Sequence, residues 1–170
     1  MKRLLVIAAF LIICANSWGQ IFKIGSKALK AESREWLTEP PTAKRQTILV
    51  EFFHSSNSTC VERIDTLRQF AAQHTDSLTV IVVVRGDDSK GQQMLADKRQ
   101  GYFVAQTTPR SLRALGVRYV PYAYVACPNR RVVWCGNPVF LKHETLKTLI
   151  SDGNYNDRPL RKTTSRRTRK

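Results

Sequence analysis

The residue type best suited to chemistry in this chain is the cysteine that closes the stretch Phe53-His54-Ser55-Ser56-Asn57-Ser58-Thr59-Cys60. An apolar, β-branched run, Thr47 to Phe53, precedes it; Val61, Ile64, Leu67, Phe70 and Ala71 follow at helical spacing. A strand, a tight loop and a helix opening near a cysteine is an arrangement that activates a thiol, because the positive end of the helix favours the thiolate. Dithiol exchange needs a second thiol in reach to resolve the mixed disulfide. The other cysteines, Cys14, Cys127 and Cys135, are distant in sequence. His54 is close enough in sequence to serve as a base, although a histidine at a strand end is more often a hydrogen-bonded loop residue.

Two registers compete for the start of this helix. Asn57 is a good N-cap, its side-chain oxygen accepting from a free backbone amide. Thr59-Cys60-Val61-Glu62 instead fits a capping box, which would leave Cys60 more exposed in the first turn. Asn57-Ser58-Thr59 also matches the glycosylation acceptor pattern, which has meaning only in a eukaryotic secretory pathway.

Other chemistries find little support. There is no Cys-x-x-Cys or His-x-x-x-His, and Cys127 and Cys135 stand eight positions apart, so no metal site is predicted. No phosphate-cradling glycine loop and no Gly-x-Ser-x-Gly elbow occurs, and no cofactor is predicted. The residues around Cys60 do not match the pattern of a peroxidatic cysteine.

The elements that would position Cys60 follow from composition and periodicity. At 170 residues with 42% hydrophobic content the chain can bury one domain's core. Lys2-Arg3, an apolar run from Leu4 to Ile13 and the small and polar residues after Cys14 predict a cleaved export signal over 1–19. Lipidation at Cys14 is the less favoured alternative, because Ile13 is bulky. The formal charge of +15 is concentrated at one end: Arg158 to Lys170 holds seven basic residues and no acid. Removing these together with Lys2 and Arg3 leaves +6. This tail, 154–170, is predicted to be disordered and to meet anionic membrane surfaces; nucleic-acid binding would rest on it alone, and the export signal argues against that. Residues 20–46 read as a lead-in and 47–153 as the domain. Strands are expected at Thr47–Phe53, Ser77–Gly86, Gly101–Gln106 and in a terminal hairpin, Arg118–Cys127 with Arg131–Gly136. Helices are expected after Asn57, over Asp88–Arg99, Thr108–Val117 and Lys142–Ser151, the last ending near Gly153. This alternation predicts an α/β fold. A turn at Pro128–Arg131 would pair Cys127 with about Val132 and set Cys135 opposite Tyr124.

The order of these elements, together with "KIGSKA" and "EWLTE" ahead of the first core strand, Glu51 within it, Val120-Pro121, and Trp134-x-Gly136, resembles the thioredoxin fold, closest to exported TlpA-like thiol-disulfide oxidoreductases. The resemblance spans about Ile24 to Ile150. It implies a three-layer sandwich with a central mixed sheet, a buried acid at Glu51, a cis-proline at Pro121, and a peptide groove beside it formed with Val120, Asn57 and Ser58. The family places Trp-Cys-x-x-Cys where this chain has Ser56-Asn57-Ser58-Thr59-Cys60. Cys60 therefore matches the resolving cysteine, and Asn57 stands where the attacking one belongs. Two functions follow as expectations: an envelope protein with at most monothiol chemistry at Cys60, with Glu51 as a proton relay, or a catalytically silent module that binds a peptide or an envelope protein through the groove. A Cys60–Cys135 disulfide is a minor alternative.

Overall fold

The computed structural model describes residues 22–28, 35–42, 45–96 and 101–155. The export signal with Cys14 and the basic stretch from Arg158 lie outside the described residues.

The first core strand is a run of apolar and β-branched residues that cannot be solvated on either face, and this places it at the centre of a sheet. That strand, β2 (Thr47–Phe53), pairs in parallel with β3 (Leu78–Arg85) and antiparallel with β5 (Tyr122–Ala126). Outside them lie β4 (Phe103–Thr107), parallel to β3, and β6 (Val132–Gly136), antiparallel to β5. A two-residue strand, β1 (Glu35–Trp36), adds to β4, giving the order β1-β4-β3-β2-β5-β6. The lead-in was expected only to pack on the core; its Glu35 and Trp36 instead extend the sheet.

Among the described residues four helices flank the sheet: α1 (Ser58–Gln73), α2 (Ser89–Leu95), α3 (Pro109–Ala114) and α4 (His143–Tyr155), with a 3-10 turn at Pro138–Phe140. Side chains alternate across β2, so Leu49 and Phe53 join the cluster built with Leu67 and Phe70 of α1 and Leu146 of α4. Val50 and Phe52 join the opposite cluster with Phe22, Leu112, Tyr122 and Tyr124. The α/β sandwich with a mixed sheet is the architecture expected from the sequence.

Two details differ. Helix α4 runs past Gly153 to Tyr155. In the hairpin Tyr124 faces Cys135, but a register shift between Val125 and Ala126 puts Val132 opposite Ala126, and Cys127 meets Arg131 through its amide at 3.0 Å. The bulge absorbs Val133, which a count from the turn alone does not anticipate.

Candidate functional site

The site is built where the C-terminal end of β2 meets the start of α1 and the segment leading into β5. Helix α1 begins at Ser58 because Asn57, in extended backbone, caps it: its Oδ1 accepts from the Cys60 amide at 3.3 Å. The Thr59 register is not used. The other end of the same side chain crosses to the loop before β5, Nδ2 donating to the Val120 carbonyl at 2.8 Å. The Val120–Pro121 peptide is cis. Asn57, Val120 and Pro121 thus come together, and Ser58 stands exposed beside them as the first helical residue.

Cys60 sits in the first turn of α1, yet it is 1% exposed and packed in the core cluster with Phe53 and Ile64. Burial pushes its thiol up to about 11, against the opposing pull of the His54 backbone contact; the Glu51 carboxylate adds to the rise and the Arg63 guanidinium opposes it. The helix-end field expected to favour a thiolate is therefore outweighed by desolvation. His54 serves the loop: its Nδ1 accepts from the Ser56 amide at 3.2 Å and lies 2.9 Å from Ser56 Oγ. That nitrogen is also 3.6 Å from the Asp88 carboxylate.

Glu51 lies on the same face of β2, 1% exposed. Both carboxylate oxygens are held by Arg63 of α1, from Nε at 2.8 Å and Nη2 at 2.9 Å. Burial pushes the Glu51 carboxyl up, and the hydrogen bonds and charge of Arg63 work in the other direction. Each carboxylate oxygen thus accepts one hydrogen bond from the guanidinium. Sequence reasoning did not single out Arg63. Its signal was present: Arg63 falls three residues after Cys60 and four before Leu67, on the buried stripe of the helix.

Asp88 was also missed. It caps α2 through the Gly91 amide at 2.9 Å, and it anchors the site loop by accepting from Ser55 N at 2.7 Å and Ser55 Oγ at 2.6 Å. Burial works against its charge, but the Ser55 hydroxyl and amide and the Gly91 amide outweigh it and hold the carboxyl below its ordinary value. A Cβ at Gly91 would fall 2.3 Å from Asp88 Oδ2, so only glycine admits this cap.

None of the three cysteines among the described residues forms a disulfide. Cys135 belongs to the opposite side of the sheet from Cys60, its thiol donating to the Phe22 carbonyl at 3.2 Å. The two do not bridge, because α1 carries Cys60 into the cluster on one face of the sheet while Cys135 packs against the cluster on the other. Among the described residues no group of three His, Cys, Asp or Glu side chains is placed to hold a metal.

No family model matches the chain, and no curated protein matches it. Solved structures do. A putative thiol:disulfide interchange protein DsbE from Chlorobium tepidum superposes with a TM-score of 0.60 at 18% identity, over 78% of this chain and 98% of that one. The thioredoxin domain of a thiol-disulfide oxidoreductase from Bacteroides vulgatus gives 0.60 at 13%, over 77% and 97%. An exposed lipoprotein thioredoxin of Streptococcus pneumoniae gives 0.52 at 16%, over 64% and 86%. The chain has the thioredoxin fold.

Proposed function

We propose that this thioredoxin-fold chain is an exported protein of the cell envelope that does not turn over disulfides and acts as a binding module through the groove beside Pro121. The observation that carries the reading is the pair of bonds made by Asn57. Where a working site of this kind needs an exposed thiolate, an amide side chain joins the helix start to the Val120 carbonyl. Monothiol chemistry at Cys60 is the weaker reading, because that thiol is buried and its anion is disfavoured. Glu51, locked to Arg63, serves the fold in this account rather than proton transfer. Envelope placement is supported by the sequence of the first nineteen residues and by the exposed lipoprotein among the structures of like fold. The basic stretch Arg158–Lys170 adds a contact with anionic membrane surfaces.

The test is insulin-disulfide reduction with dithiothreitol as electron source, run on the parent and on Cys60→Ala. Both should sit at the uncatalysed rate. Turnover by the parent that disappears in Cys60→Ala would restore the monothiol reading.

A further inference from the structure

Beside Val120, the residue before Pro121, lies a cleft of about 200 Å³ lined by three arginines. His54 reaches it from the end of β2, Arg85 from the end of β3, Arg113 from α3, and Arg118 from the segment before the cis bond. Arg85 is already neutralised by Asp87, with Nε to Oδ1 at 2.8 Å. Arg113 and Arg118 are exposed and form no ion pair among the described residues. No aspartate or glutamate occurs in the chain between Asp97 and Glu144, so no carboxylate from this whole segment offsets them.

The rest of the surface is apolar. Leu112 and Val117 are buried behind the cleft, and Tyr119 on its rim is 53% exposed. Gly136 pairs with Ala123, so the 3-10 turn that follows β6 leaves the sheet at the end where β5 begins. Its Phe140 is 72% exposed. The cleft thus carries two unpaired guanidinium groups and the exposed Tyr119 ring beside Val120.

We infer that this cleft selects an acidic polypeptide segment, whose carboxylates meet Arg113 and Arg118 while its apolar side chains cover Tyr119 and the neighbouring wall. The inference rests on the binding-module reading and names its partner. A simple anion would use the guanidinium groups and leave the apolar wall wet; an extended chain, with side chains pointing alternately to two sides, uses both. A second copy of this chain is disfavoured by its charge of +15.

The test is a nuclear magnetic resonance titration of the 15N-labelled full chain with the peptide acetyl-Gly-Glu-Leu-Glu-Leu-Glu-Gly-amide, with its Gln-for-Glu counterpart, and with inorganic phosphate. The acidic peptide should move the amides of residues 54, 113 and 118–120. The double variant Arg113→Ala/Arg118→Ala, both positions being exposed, should fold normally and bind about tenfold more weakly, as two partly screened ion pairs imply. Unchanged affinity in the double variant would assign binding to the basic C-terminal stretch and overturn the inference. Equal binding of the Gln peptide at 118–120 would keep the groove and overturn its selectivity for charge. Equal binding of phosphate at the same amides would make the cleft a simple anion site. If none of the probes moves residues 118–120, the inference and the groove reading fall together.

Discussion

Asn57→Cys tests whether the loop is built as a redox turn that lacks one thiol. The substitution removes two contacts: the N-cap bond to the Cys60 amide, worth about 1 kcal/mol, and the bond to the Val120 carbonyl, worth about 1 kcal/mol when part-buried. The reduced variant should be about 2 kcal/mol less stable than the parent. Positions three apart at a helix start bring their Cβ atoms to roughly 5–6 Å, within small adjustment of disulfide geometry. Closing so short a loop restricts the unfolded chain by about 2 kcal/mol. Oxidation should therefore return the variant close to parental stability. The measurement is urea unfolding of the variant with and without reductant. At a slope of about 2 kcal/mol per M, the two midpoints should differ by about 1 M. The oxidised form should also be reduced reversibly, and the variant should give slow insulin-disulfide reduction that the parent lacks. Two thiols that never pair under mild oxidant would refute the redox-turn geometry. A reduced variant as stable as the parent would refute the role given to Asn57.

Cys60 should resist iodoacetamide at pH 8, where a thiol titrating at about 11 is ionised to about one part in a thousand, and the rate should climb tenfold per pH unit. Because its folded value lies above the ordinary 9.0, the stability it contributes is present below pH 9 and lost as pH rises to 11. The stability gap between parent and Cys60→Ala should shrink by about 3 kcal/mol across that window in chemical unfolding. Arg63→Ala strands the buried Glu51 carboxylate and should cost about 3–5 kcal/mol at pH 7, whereas Glu51→Leu/Arg63→Met should cost much less, both read by denaturant midpoints. Asp88 has a lowered carboxyl, so its contribution is present above pH 3.8 and lost as pH falls through its lower folded value; Asp88→Asn should be about 1 kcal/mol less stable at neutral pH and show a shallower acid limb in thermal melts. Deleting Arg158–Lys170 should leave the melting temperature unchanged and abolish salt-sensitive binding to vesicles of anionic lipid; unchanged binding would place membrane contact elsewhere.

The sheet was legible because its strands are written as unbroken apolar runs: "TILVEFF" and "LTVIVVVR" are the two central strands, buried almost throughout. The helix start was legible only to within two residues, since Asn57 and Thr59 both offer caps and the choice of Asn57 comes from the fold. The polar interior was not. Arg63 reaches Glu51 across twelve residues and Asp88 reaches Ser55 across thirty-three, and local periodicity carries no record of such pairings. The same holds for the cleft: Arg113 and Arg118 read as ordinary surface charge until the fold places them beside Val120. The depth of Cys60 was hidden for a different reason. A cysteine in the first turn of a helix faces either solvent or core according to the helix's roll on the sheet, and that roll is set by Leu67 and Phe70 farther along.

The lead-in residue Phe22 stacks on Tyr124 at 4.3 Å between ring centroids, and its neighbours Gly25 and Ser26 bond the backbone of Val132. A residue met at the beginning of the chain is therefore finished by residues about a hundred positions later. During vectorial synthesis, N-terminus first, this aromatic ring can meet Phe52 early but completes its stack only when the last hairpin has emerged. Contacts of such long sequence separation slow folding and leave it all-or-none at the end. Once made, they cover the start of the outer edge of β6 at Val132, so that the place where another chain could begin to pair is occupied by the protein's own lead-in.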